Sequence, residues 1–295
     1  MRSMLFVPAD SERKMAKALG CGADAVILDL EDAIAPDAKP RAREMAREFL
    51  AAALATWTPT QPRLYVRIND LATPFWEADL AALATALPHS IMLPKTRSGE
   101  DVHRLSVTLD HAEEKAKVQS GRTRILAQSA ETTVSLLQQH TYLGCSNRLE
   151  GLTWGPEDLA AEMGATANRE ADGTFTSPFR LIRDLTLITA TAAEVQAIDT
   201  VFVDFRNKSG LALEASMAAR DGFVGKLAIH PDQVPIINEA FTPSPAAVER
   251  AKAIVAAFEA AGGAGTVGFE GKMLDRPHLA LARRTLARAA PVATS

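Results

Sequence analysis

The chain has 295 residues, 47% of them hydrophobic, a length and composition that suit one large core with an appendage better than two equal domains. A formal net charge of −4 and a pI near 5.9 supply no basic field for a polyanion, which excludes nucleic acid as an expected partner. Two cysteines, Cys21 and Cys145, are too few and too distant for a disulfide framework or a thiolate zinc site; no apolar run approaches the roughly 18 residues of a membrane span, and residues 1–8 lack a signal-peptide pattern, so a soluble cytoplasmic protein with no membrane partner is expected.

Along the chain, short runs rich in Val, Ile and Leu alternate with longer Ala-, Leu-, Glu- and Arg-rich segments of helical period. The runs predict strands at 4–8, 25–30, 63–68, 90–94, 124–128, 149–154, 200–204 and 226–230. Continuously apolar strands separated by helices are what a closed parallel sheet under an outer helical ring requires, so residues 1–240 are expected to form a (β/α)8 TIM barrel. A doubly wound sheet would call for a glycine-rich phosphate turn after an early strand, whereas the first strand here runs into Pro8-Ala9-Asp10-Ser11, the start of a helix. Residues 165–178, polar and glycine-containing, read as a loop at the catalytic mouth. Beyond the eighth strand, residues 241–295 form a C-terminal helical extension, with helices over 245–260 and 277–290 joined by Ala261-Gly262-Gly263-Ala264-Gly265. That extension reads either as a cap over the barrel or as an arm carrying Asp275 to an active site of its own or of a neighbouring subunit.

Glu131 and Asp158 each follow a predicted strand, so on a parallel barrel both carboxylates reach the same mouth, where barrel enzymes keep their chemistry. Either acid alone has a plainer role at the positive end of a helix. Together they suit a hard cation, and because no two of the six histidines have metal-ligand spacing, Mg²⁺ is favoured over zinc. Arg67, in Tyr-Val-Arg-Ile-Asn, interrupts an apolar strand and needs either a structural acid or a substrate carboxylate or enolate. Asp29, Glu31 and Asp32 follow the second strand; Glu31 and Asp32 are expected to orient Arg67 and metal-bound water. Lys14 and Lys17 lie three apart on the first helix, where a solvated face is the default and a phosphate contact the alternative. Backbone N–H groups near Glu157 and Asp158 open a helix and offer a carboxylate site.

Several segments in fixed order resemble one family nearly end to end: Arg-Ser-Met-Leu-Phe-Val-Pro at 2–8, Asp-Ala-Val-Ile-Leu-Asp-Leu-Glu-Asp-Ala-Ile at 24–34, Val-Arg-Ile-Asn at 66–69, Gly-Pro-Glu-Asp-Leu-Ala-Ala-Glu-Met-Gly at 155–164, Gly-Lys-Leu-Ala-Ile-His-Pro-Asp-Gln at 225–233 and Phe-Glu-Gly-Lys-Met-Leu-Asp-Arg-Pro at 269–277. They resemble the citrate lyase β-subunit and malyl-CoA lyase family. The resemblance implies a Mg²⁺-dependent carbon–carbon lyase for a β-hydroxyacyl-CoA, giving acetyl-CoA and a small 2-oxo acid, assembled as a homotrimer or hexamer. It also implies roles: Glu131 and Asp158 as metal ligands, Arg67 on the substrate carbonyl or enolate, Asp275 as the acid from an adjacent protomer, and Lys14 and Lys17 on the CoA phosphates. The alternatives are a β-subunit acting on a citryl group carried by an acyl carrier protein, and a metal-binding scaffold without chemistry. The chain departs from the family pattern at Thr133, after Glu131, and at Pro156, where Ala is frequent; both reshape the pocket floor.

Overall fold

The computed structural model of the chain describes residues 1–262 and 264–289; Gly263 of the predicted linker and Ala290 at the end of the last predicted helix lie outside the described residues. The chain divides into two compact units, one from Met1 to Asn238 and one from Glu239 onward.

In the first unit eight strands close on themselves in sequence order: β1 (Ser3–Pro8), β2 (Ala25–Asp29), β3 (Arg63–Arg67), β4 (Ser90–Leu93), β5 (Arg124–Ala130), β6 (Leu149–Trp154), β7 (Gln196–Asp199) and β8 (Gly225–Ala228). Each pairs in parallel with the next, and β8 pairs with β1, which leaves no edge. The connecting helices are α1 (Glu12–Ala18), α2 (Lys39–Ala55), α3 (Trp76–Leu83), α4 (Gly99–Ala116), α5 (Thr133–Leu137), α6 (Pro156–Met163), α7 (Ser177–Ala192) and α8 (Lys208–Asp221), followed by α9 (Gln233–Phe241). The expected (β/α)8 barrel is therefore the observed one. Pleating sends alternate side chains inward, and Met4, Ala25, Ile27, Tyr65, Met92, Leu126, Ile198 and Leu227 fill the interior. Outward residues such as Val26 and Leu28 are equally buried beneath the helices, which is why the strands read as unbroken apolar runs.

The seventh strand differs from expectation. It spans Gln196–Asp199, and residues 200–204, expected as the strand, lie beyond its end in the loop that follows. Apolar content alone favoured Val201-Phe202-Val203, but the strand is held by its ladder to β8, which pairs Asp199 with Lys226. The Lys226 ammonium lies 3.1 Å from Asp199 Oδ2 and 2.9 Å from Glu214 Oε1, while Trp154 Nε1 donates to Asp199 Oδ1 at 2.9 Å. A charge in a strand interior is tolerated when its partner is built into the neighbouring strand.

The second unit contains α10 (Pro245–Ala260), β9 (Thr266–Phe269), β10 (Lys272–Asp275) and α11 (Arg276–Ala289). The extension is thus not purely helical. Glu270 and Gly271 both have positive φ, 48° and 73°, and form the two-residue turn of a β9–β10 hairpin. Phe258, Val267 and Leu274 form this unit's small buried cluster.

Candidate active site

The β2–β3 ladder places Asp29 opposite Arg67. Their side chains therefore leave neighbouring strands at one level, and the Arg67 guanidinium forks onto Asp29, with Nε to Oδ1 at 2.8 Å and Nη2 to Oδ2 at 2.7 Å. Asp29 also accepts from the backbone N–H groups of Glu31 and Ala33. The third guanidinium nitrogen, Nη1, faces Glu31 Oε2 at 2.9 Å. Burial opposes the Arg67 charge, but the Asp29 hydrogen bonds and the fields of Asp29, Glu31 and Glu131 outweigh it and raise the arginine's pKa. The loop carrying Glu31 is itself pinned: Lys39 Nζ donates to the carbonyls of Leu30 and Glu31, both at 2.9 Å, and Asn69 Nδ2 donates to that of Leu30.

Glu131 follows β5, whose pairing with β6 shifts register between Gln128 and Ala130. A bulge of this kind re-aims the next side chain. Glu131 is only 2% exposed, accepting from the Lys95 backbone N–H at Oε2 (2.7 Å) and from Gln128 Nε2 at Oε1 (2.8 Å). Burial above all, then the fields of Glu31 and Asp158, pushes its carboxyl well above the usual carboxylate range. Asp158 lies in the first turn of α6, whose N-cap is Gly155. A Cβ on Gly155 would stand 2.7 Å from Glu131 Oε1, so the glycine makes room for the acid. Gly155→Ala is expected to displace the Glu131 carboxylate, to destabilise the protein by about 1–3 kcal/mol and to weaken divalent-ion binding, read by thermal unfolding and calorimetry; unchanged binding would contradict this packing.

Lys95 joins these pieces. It follows β4 with φ +49°, in the left-handed region, and while its backbone N–H holds Glu131 its ammonium reaches Glu31 Oε1 at 2.6 Å, both Asp32 oxygens at 3.1 and 3.2 Å, and Asp158 Oδ1 at 3.4 Å. Glu31, Asp32, Arg67, Glu131 and Asp158, all singled out in the sequence, thus come together. Lys95 was missed, although a charged residue directly after Ile91-Met92-Leu93-Pro94 carries the same signal that drew attention to Arg67. Lys14 and Lys17 are exposed on α1, and Asp275 ends β10 in the second unit, exposed, with its Oδ1 2.5 Å from His278 Nδ1.

The donor set suits a hard divalent cation. Five carboxyl groups (Asp29, Glu31, Asp32, Glu131, Asp158) lie among three cations (Lys39, Arg67, Lys95), and the two raised by burial, Glu31 and Glu131, would be favoured in their charged form by a bound divalent ion. Among the described residues no group of three or more His, Cys, Asp or Glu side chains is arranged around a single ion position. An ion held here by Glu131 and Asp158 would take its remaining ligands from water or substrate, the habit of Mg²⁺ rather than zinc. Gln128 Oε1 is buried beside Glu131 without a hydrogen-bond donor among the described residues.

Burial, against the pull of Arg67 and Lys95, pushes the Glu31 carboxyl up to about 7. A folded-state value above that of the unfolded chain means stability that is full at acid pH and lost as pH rises through 7. The metal-free protein is expected to melt at lower temperature at pH 8 than at pH 5.5, and Glu31→Gln to flatten that difference; equal slopes in both proteins would contradict the assignment.

A model of the family described as HpcH/HpaI aldolase/citrate lyase matches residues 2–231. The chain belongs to this family. The match covers the whole barrel of this aldolase/citrate lyase member, from β1 to the residues after β8. Among curated relatives, the (3S)-malyl-CoA thioesterase of Cereibacter sphaeroides strain KD131 is 34% identical, over 99% of this chain and 95% of its own length. The mitochondrial citramalyl-CoA lyase of Rattus norvegicus is 32% identical over 99% of this chain and 86% of its own. The crystal structure of the CitE protein of Mycobacterium tuberculosis, in complex with magnesium, acetoacetate and coenzyme A, superposes with a TM-score of 0.78 at 33% identity, over 98% of this chain and 97% of that one. The resemblance read from the sequence motifs is thereby confirmed at the level of family and fold. The family departure at Thr133 has a structural use: its backbone N–H and hydroxyl both donate to Glu162, at 2.9 and 2.7 Å, tying α5 to α6. Among the described residues no helix is long and apolar enough to cross a membrane.

Proposed function

We propose that this protein is a Mg²⁺-dependent carbon–carbon lyase that cleaves, or in reverse forms, a β-hydroxyacyl-CoA such as malyl-CoA or citramalyl-CoA. The single observation that carries this reading is the gathering of Glu31, Asp32, Glu131 and Asp158 about Lys95, with the Arg67 guanidinium fixed beside them. It is supported by the named activities of the relatives and by the magnesium and coenzyme A in the CitE complex.

Glu131 and Asp158 hold the ion. Bound Mg²⁺ supplies Lewis-acid stabilisation of a substrate oxygen. Arg67 keeps N–H donors beyond those spent on Asp29, and these meet the thioester oxygen as it gains charge. In cleavage a base takes the substrate hydroxyl proton as the carbonyl of the 2-oxo acid forms, the bond between the β-carbon and the α-carbon breaks, and its electron pair passes to the thioester as an enolate; one proton returned at carbon from a general acid gives acetyl-CoA, so the proton count balances. In condensation Asp275, delivered by a neighbouring copy in a homotrimer or hexamer, takes the methyl proton of acetyl-CoA. Lys14 and Lys17, exposed and cationic, suit the CoA phosphates. Backbone N–H groups at the start of α6 receive the carboxylate of the 2-oxo acid.

The test is to incubate the full-length protein with Mg²⁺, acetyl- or propionyl-CoA, and glyoxylate, pyruvate or oxaloacetate. Methyl-proton exchange reports the enolate and mass spectrometry reports products. Exchange with condensation is expected; free CoA with an intact hydroxy acid would instead indicate a thioesterase. Neither exchange nor acyl-CoA binding would overturn the reading in favour of a carrier-protein substrate or a non-catalytic scaffold.

A further inference from the structure

The two ends of Lys95 do different work. Its backbone N–H is fixed on the buried Glu131, whereas its ammonium makes three contacts of graded length, shortest to Glu31, intermediate to Asp32 and longest, at 3.4 Å, to Asp158. The Asp158 contact is an ion pair without a hydrogen bond, and both partners are open to solvent, with side-chain exposures of 24% for Lys95 and 35% for Asp158. Of the other two cations, Arg67 is held by its two-bond fork on Asp29, and the Lys39 ammonium is committed to the Leu30 and Glu31 carbonyls.

We infer that Lys95 is a tethered counter-cation of the acidic site: a divalent ion enters by displacing its ammonium from Asp158, while Glu31 and Asp32 retain it and the backbone N–H keeps Glu131 aimed. This rests on the metal reading above and adds a positioning residue to it. Lys95 then sets how tightly the ion is held, because the ammonium competes for one carboxylate and repels the incoming charge at short range. It also holds the carboxylates together when no ion is present, so the site need not be assembled from mutually repelling groups.

The experiment compares the wild type, Lys95→Met and Lys95→Arg, each stripped with a chelator. Mn²⁺ binding is followed by electron paramagnetic resonance of the free ion, and unfolding is followed with and without Mn²⁺. Lys95→Met is expected to bind Mn²⁺ about tenfold more tightly, which is the loss of one close, partly screened repulsion. It should also melt lower than wild type without the ion and gain more from it. Lys95→Arg, which keeps the charge, is expected to retain wild-type affinity. Equal or weaker Mn²⁺ binding by Lys95→Met overturns the inference, as does tightening by Lys95→Arg, since neither is competition by charge. If Lys95→Met does not fold, Lys95→Gln is read by the same criteria. A wild-type protein that binds no Mn²⁺ overturns the metal reading itself, an outcome distinct from equal binding by wild type and variant.

Discussion

Asp158→Asn is expected to lower Mg²⁺-dependent turnover by about a thousandfold while leaving the fold intact. The amide keeps the shape of the side chain but removes one of the two proposed negative ligands, and the stabilisation a metal gives a developing oxyanion amounts to several kcal/mol, each 1.36 kcal/mol being about tenfold in rate. The fold is spared because Asp158 is partly exposed and, among the described residues, its ion pair is the long one to Lys95. Without metal the variant should melt at or slightly above the wild-type temperature, since a repulsive neighbour of Glu131 is gone. Turnover and Mg²⁺ affinity equal to wild type, measured on the purified variant, would dismiss Asp158 as a ligand.

Arg67→Met is expected to strike stability and activity together. Asp29 is 3% exposed, and without the guanidinium it is a buried carboxylate left, among the described residues, with the backbone donors of Glu31 and Ala33, a loss of about 3–5 kcal/mol. For a domain of this size that lowers Tm by roughly 10 °C. Turnover should fall by a further factor of about 10² to 10³ if the proposed donors to the enolate oxygen are lost. Arg67→Lys should recover part of the stability and little of the rate, because an ammonium cannot reproduce the two-bond fork. A variant with wild-type Tm and kcat would show that Arg67 is neither the partner of Asp29 nor a substrate contact.

The barrel was legible because both faces of a parallel strand are buried, so eight apolar runs separated by helices admit few other solutions. Glu131 and Asp158 stood out for a related reason: an acid directly after such a run sits on the catalytic rim. The seventh strand misled because 200–204 is richer in apolar residues than Gln196-Ala197-Ile198-Asp199, whereas the buried Asp199–Lys226 pair, invisible without the ladder, favours the earlier segment. Lys95 escaped notice because its role depends on loops from β2, β5 and β6 meeting over it, a long-range fact. The β9–β10 hairpin was missed for the opposite reason: its strands are four residues each and mostly exposed, so they carry almost no period, and Glu270-Gly271 was its one local mark.

The opposition of Asp29 and Arg67 on one rung of the β2–β3 ladder has a consequence for how such a site diversifies. Arg67, the proposed oxyanion contact, is aimed by backbone pairing, so a length change in the surrounding loops leaves its bearing untouched. Recognition of the acid can drift while the electrostatic tool stays calibrated, and novelty is confined to segments that tolerate it. A single-residue slip of β3 against β2, by contrast, would turn the guanidinium to the opposite face and remove the proposed oxyanion contact, whatever acid the loops had come to prefer.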